Sequence, residues 1–259
     1  MINDLTVLLL SQFAGVYPVI IWLVPVSVIK SGFVRFNLGL ATIMLGLATL
    51  LTSLQSPAMP MKGWMLGLGG LSLVVLGLGW HRMRIAQAIL TPLLLLWGGL
   101  LCQQALDGRI AQADWAHWMA VIWGGAVLAA VMYAMVLGHW YLNVAELPIG
   151  YLRQATRLAL LLLAGRAAWV AGVLVVTQAE LGLRLQPAYL LLTRLDGFIL
   201  WIGLLMGLAA PLVFAWMAMR TARIQSTQSA TGLLYVVLIL VVMGTLIFDG
   251  YLLELELPL

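Results

Sequence analysis

Residues 115–142 read WAHWMAVIWGGAVLAAVMYAMVLGHWYL, a run without a single Asp, Glu, Lys or Arg. A stretch of this length exceeds the roughly 20 apolar residues that a helix needs to cross the hydrocarbon layer of a bilayer, and it is far longer than any strand. In lipid each backbone N–H and C=O must be satisfied within the segment, so the run reads as a membrane-spanning helix.

On either side of it, an apolar window finds four earlier runs, at residues 5–29, 38–54, 64–80 and 85–106, and three later ones, at 158–178, 190–219 and 232–253. Charge or proline punctuates them. Lys30 and Arg35 separate the first two, Pro57, Pro60 and Lys62 the next pair, and His81, Arg82 and Arg84 close the third. The expected fold is therefore an all-α polytopic transmembrane helical bundle of about eight spans. No connection is long or polar enough for a second folding unit, so residues 1–259 form one membrane domain. No internal repeat stands out.

Composition agrees. The chain is 64% hydrophobic and 8% charged, with a mean hydropathy of +1.08, whereas a soluble domain carries about 25% charged residues. Soluble, disordered and collagen-like classes are excluded. The single cysteine, Cys102, leaves no intramolecular disulfide, CxxC pair or cysteine-ligated cluster within the chain. The net charge of +4 comes from Lys and Arg scattered singly between apolar runs, which argues against nucleic acid as a partner. The expected partners are membrane lipids and other membrane subunits.

Lys and Arg in alternate connections set the topology. Lys30, Arg35, Arg82, Arg84, Arg153, Arg157, Arg220 and Arg223 fall on one side, against Lys62, Arg109, Arg184 and Arg194 on the other. The richer side is expected to face the cytoplasm of a bacterial inner membrane, with both termini outside. The first run has no basic stretch before it and no small-residue cleavage site, and reads as a retained helix. Trp64, Trp80, Trp115, Trp118, Trp140, Tyr141 and Trp216 lie at the expected span ends, as an interfacial belt does. Pro18, Pro25, Pro92 and Pro211 predict kinks. Gly63 with Gly67, and Gly203 with Gly207, have the spacing of packing ridges.

Three features carry chemistry. Neutral imidazole is a ligand for haem iron, and His81 and His139 fall on the same side of the membrane, while His117 and His139 are ~33 Å apart along one helix. One haem b held by His81 and His139 is the only intrachain bis-histidine arrangement; the competing reading makes both residues ordinary interfacial histidines. The segment GHWYLN, Gly138 to Asn143, is the densest polar and aromatic cluster. His139 with Trp140, Tyr141 and the small Gly138 suits a quinone headgroup, with residues 146–157 as an interfacial lid, or else serves as a helix-end anchor. Arg166 sits deep in the sixth run, where burial costs about 2.5–3.5 kcal/mol unless it is paired or meets water. Asp196 and Asp249 are its expected partners, in a structural ion pair that fixes helix register, or else Arg166 binds an anionic substrate or lipid or serves a proton path.

Absences narrow the field. There is no lysine in the last two runs for a retinal Schiff base, and no Walker A, HExxH or GxSxG sequence. Two functions remain as expectations. One is an integral subunit of an electron-transfer or energy-transducing complex, mainly a scaffold, with a quinone or single haem b site at the cytoplasmic side. The alternative is a small-solute transporter or permease that uses Arg166 and its acids.

Overall fold

The computed structural model describes residues 2–55, 62–107, 109–110, 113–144, 147–180 and 195–259. Ten α-helices occur among them: α1 (Ile2–Ile20), α2 (Val26–Ile29), α3 (Ser31–Gln55), α4 (Lys62–Leu78), α5 (Met83–Asp107), α6 (Trp115–Asn143), α7 (Gly150–Glu180), α8 (Leu195–Leu204), α9 (Ala210–Arg223) and α10 (Thr227–Leu255). The described residues contain no strand. Helices α8 and α9 form one rod through a π-helical turn, Leu205–Ala209, placed immediately before Pro211. A proline ring collides with the carbonyl four residues back, and a widened turn relieves that collision. The other expected kinks differ in kind. Pro18 lies inside α1 shortly before a 3-10 turn at Ile21–Leu23, Pro25 caps α2, and Pro92 is carried inside α5.

Seven of these rods are long and apolar enough to cross a membrane, and α4, with Gly63–Leu78 apolar, is shorter. Register shows how α4 runs. Its early residue Met65 shares a groove with Thr49 and Leu54, and its late residue Leu76 shares another with Arg35 and Phe36, so α4 lies antiparallel to α3. Gly79 packs on Ala86 and Gly69 on Trp97, so it is also antiparallel to α5. Along α1 and α5, Asp4 meets Arg109, Ser11 meets Cys102 and Gly15 meets Gly98, an antiparallel pair. For α1 and α5 to be antiparallel while α1 and α3 also are, as Tyr17 with Asn37 and Phe13 with Met44 show, the chain must traverse the bundle through α4. The expected count of about eight thus resolves into seven long helices and one short one. Both ends of the chain lie on one face, with Leu5 beside Gly250.

The core runs along α1 and α6. Helix α1 packs against α3, α5, α6 and α10, and α6 packs against α1, α7 and α10. Where α1 meets α5, a Cβ on Gly98 would stand 2.6 Å from the Gly15 Cα, so two glycines allow backbone-to-backbone approach. Of the two expected ridges, Gly203 and Gly207 face α10, with Gly207 against Gly244, whereas Gly63 and Gly67 form no packing ridge, because no described residue comes within 4 Å of a Cβ placed on either. Outward-facing Ile43, Leu54, Trp64, Leu73, Val175 and Ile239 are each more than half exposed, as a lipid-facing surface is.

The sequence expectation departs most from the structure at the connection before α7. Residues 150–157, expected in an interfacial lid, are the first turns of α7. Arg153 there donates to the carbonyls of Ala222 and Arg223 at 3.3 and 3.2 Å and closes the C-terminal end of α9.

Candidate functional site

A buried polar cluster lies in the seam of α1, α6, α7 and α10. Arg166 is 2% exposed near the middle of α7. Its guanidinium carbon stands 5.3 Å from the centroid of the Phe248 ring, a cation–π arrangement. Its Nη1 reaches Gly124 so closely that an added Cβ there would lie 2.4 Å away. Neither Nη1 nor Nη2 has a hydrogen-bond partner among the described residues. Asp249, also 2% exposed, accepts a 2.5 Å hydrogen bond from Gln12 Nε2. The Gln12 Oε1 is left unpaired and approaches the same Gly124 surface, 3.0 Å from the added Cβ position.

Two adjacent glycines make this cluster possible. A Cβ on Gly125 would fall 2.3 Å from the Gln12 carbonyl oxygen, so any side chain there would hold α6 off α1. Beside it, Cys102 Sγ and Ser11 Oγ are 3.3 Å apart. Toward the chain ends, Phe248 joins Val170, Leu200, Leu208 and Leu259 in a separate apolar cluster, and Trp169 Nε1 donates to the Pro258 carbonyl at 3.0 Å. On the other side, Leu9, Leu10, Phe13, Met44, Leu128 and Met132 line an apolar cavity of about 210 Å³. Beyond that cavity lies a second polar group, in which Tyr17 donates to Asn37 Oδ1 and Tyr133 is fully buried.

The expected partners of Arg166 are thus sorted. Asp249 shares its pocket, but the direct ion pair is not formed, because the carboxylate is turned to Gln12 and no Arg166–Asp249 contact lies within 4.0 Å. The neutral amide of Gln12 intervenes. The side chain of Asp196 lies outside the described residues. Sequence reasoning passed over Gln12; the available signal was a Ser-Gln pair in the middle of an apolar run, where a polar side chain has no water to meet.

At the other end of α6, His139 and His81 lie on elements that pack on different neighbours. His139 and His81 are both exposed, and among the described residues no hydrogen bond, ion pair or ring contact joins them. The turn that carries His81 packs on α4 and α5, whereas α6 packs on α1, α7 and α10. No group of three or more His, Cys, Asp or Glu gathers to hold a metal among the described residues. Gly138 admits Thr231 rather than a flat ring, with Thr231 Oγ1 2.6 Å from an added Cβ. Trp140 packs edge-on against Phe33 at 5.5 Å, and Tyr141 donates to the Pro148 carbonyl at 2.5 Å. Both rings hold the helix end.

At the opposite end of α6, Asp114 caps the helix, accepting from the N–H of Ala116 and His117 at 2.9 and 3.1 Å. His117 Nδ1 is 2.6 Å from Asp114 Oδ1, and Nε2 is 3.3 Å from the Glu256 carbonyl oxygen. The hydrogen bond to the His117 side chain holds the Asp114 carboxyl below the usual carboxylate range.

Fold and cluster together define a multi-pass helical membrane protein with charged groups buried inside the bundle. The chain matches no protein-family model, no curated protein and no solved structure.

Proposed function

We propose that the chain is an ion-handling membrane protein in which the Arg166–Gln12–Asp249 cluster passes protons between the two sides of the bilayer. The observation that carries this reading is Arg166 itself, a buried guanidinium whose two terminal nitrogens lack partners among the described residues, while Asp249 beside it is bonded to Gln12. Burying such a charge is costly, and ionisable groups inside membranes mark ion pathways and proton relays. A structural ion pair would instead place carboxylate against guanidinium. Close packing of Gly124 and Gly125 on the cluster favours a proton or a small ion over a large solute.

This is the transporter-class reading of the sequence narrowed to protons, and it also suits a subunit of an energy-transducing assembly. We place the protein in a bacterial inner membrane with the side of Lys30, Arg82 and Arg153 toward the cytoplasm. A quinone or haem b site would require His139 to face a cavity, and its exposed side chain favours neither.

Reconstitution tests the proposal. Liposomes loaded with a pH-sensitive dye and containing the protein should acidify under an imposed proton gradient faster than empty liposomes, and Asp249→Asn should remove the difference. Equal flux through Asp249→Asn and the unaltered protein would refute it.

A further inference from the structure

We propose that the recess between α3 and α4 is a binding site for one anionic phospholipid, with its phosphate among Lys30, Arg35, Arg82 and Arg84 and one acyl chain laid along the glycines of α3. The site lies outside the seam that holds Arg166 and does not depend on the proton reading.

Two adjoining cavities form the recess. The first, of about 500 Å³, is lined by Gly32, Arg35, Gly39 and Ile43 of α3 together with Leu76 of α4. The second, of about 710 Å³, shares Ile43 with it and continues past Gly46 to Leu54. Its floor is Trp97 of α5, whose Nε1 donates to Thr49 Oγ1 at 2.9 Å. Both volumes fall in the ~300–1,000 Å³ range of small-molecule sites. Gly39 and Gly46 stand two helical turns apart with nothing within 4 Å of an added Cβ, so the trough between the exposed side chains of Phe36 and Ile43 is open. From Arg35 to Leu54 it runs ~28 Å, close to the ~30 Å of the hydrocarbon layer, and a chain that enters at Arg35 reaches about the level of Gly46 within its own leaflet. A helix is about 10–12 Å across with its side chains, too wide to enter a recess between two helices that pack directly on each other. An acyl chain is not.

Charge decides which lipid. Lys30 immediately precedes α3, and half-buried Arg35 lies in its second turn. Leu76 brings the end of α4 to the level of Arg35, and the turn Gly79–His81 then leads to Arg82, whose N–H donates to the Gly79 carbonyl at 2.9 Å, and to Arg84 in the first turn of α5. Four bases therefore gather at one end of the recess, where Lys30, Arg82 and Arg84 are exposed; only Lys62 opens α4 at the other. Residues 5–106, nearly all of α1 to α5, contain no Asp or Glu, so these helices supply no carboxylate to balance them. A lipid phosphate does, since basic pockets between membrane helices take anionic headgroups and a guanidinium matches phosphate oxygens.

Native mass spectrometry of the purified full chain, titrated with phosphatidylglycerol and with phosphatidylcholine of the same acyl chains, tests the site. One phosphatidylglycerol per chain should bind about tenfold or more tighter than phosphatidylcholine. Arg35→Gln should weaken phosphatidylglycerol about fivefold and leave phosphatidylcholine unchanged. The double variant Gly39→Leu, Gly46→Leu fills the trough at two positions with room for a side chain, so it should fold and lose the one-to-one binding. Gly172→Leu, at an equally open and exposed glycine of α7, should keep it. Equal affinity for the two lipids, binding that survives the double variant, or the same loss in Gly172→Leu each overturns the inference. So does a polypeptide, in place of lipid, cross-linked in native membranes to a photoreactive amino acid that replaces Ile43.

Discussion

The middle of α6 and its C-terminal end are built from similar materials to opposite effect. At the middle, Gly124 and Gly125 bring α6 onto the backbone of α1 and leave charged groups from two other helices enclosed. At the C-terminal end, Gly138 brings α6 onto a side chain of α10, and the histidine next to it is exposed. Both regions contain glycine, aromatic rings and a residue able to ionise. What separates them is access to water or headgroups: an exposed imidazole at the membrane edge needs no protein partner, whereas a guanidinium inside the bundle does. Polar density in the sequence marks the edge of the bilayer, and an isolated polar residue in an apolar run marks its interior.

The contrast predicts unequal costs for one methyl group. Gly125→Ala must push the α1 and α6 backbones apart and should cost about 2–3 kcal/mol, read as a lowered unfolding temperature in detergent. Gly138→Ala meets only Thr231, whose side chain can give way, and should cost about 1 kcal/mol or less. Equal losses at the two sites would mean that the seam of α1 and α6 is no tighter than the helix end.

Gln12→Leu strips the buried Asp249 carboxylate of its donor and should cost about 1–3 kcal/mol, with some of the loss recovered when Asp249→Leu is added. Additive losses in the double variant would show that the two side chains do not act on each other.

Asp114→Ala should cost about 1 kcal/mol at neutral pH through loss of the α6 cap. Because folding lowers the Asp114 pKa, its contribution is present above the unfolded value and is lost as the pH falls through the lower folded value. The gap in unfolding temperature between Asp114→Ala and the unaltered protein should therefore narrow below about pH 4. A gap that stayed constant on acidification would show that the carboxylate charge is not what His117 and the backbone hold.

The smallest effects are expected at the exposed histidines. His139→Ala and His81→Ala should each change stability by about 0.5 kcal/mol or less and leave the visible absorption of the purified protein unaltered. A Soret band lost in both variants would restore a haem between them and make the C-terminal end of α6 the functional one.

Much of the fold was legible because one signal, uninterrupted apolar length, is sufficient for a lipid-embedded helix. The run at 115–142 coincides with α6 to within a residue at its C-terminal end. Short α4 was legible for the same reason, although only its register beside α3 and α5 shows its direction. The start of α7 was not, because Arg153 and Arg157 make its first turns resemble a connection, and Arg153 turns out to bond the end of α9. The candidate site was half legible. Arg166 and Asp249 announced themselves by charge, but the intervening amide did not, since a glutamine has no fixed partner until the fold sets α10 across from α1.

Everything proposed for the α1–α6–α7–α10 seam requires that its buried carboxyl take up and release a proton within the membrane. Infrared difference spectroscopy between acidic and alkaline buffer reads that event at the carboxyl itself. The expected spectrum has a carbonyl band from a buried carboxylic acid that grows on acidification, shifts in Gln12→Leu as the hydrogen bond is lost, and vanishes in Asp249→Asn. A spectrum without such a band, or a band that persists unchanged in Asp249→Asn, would contradict it.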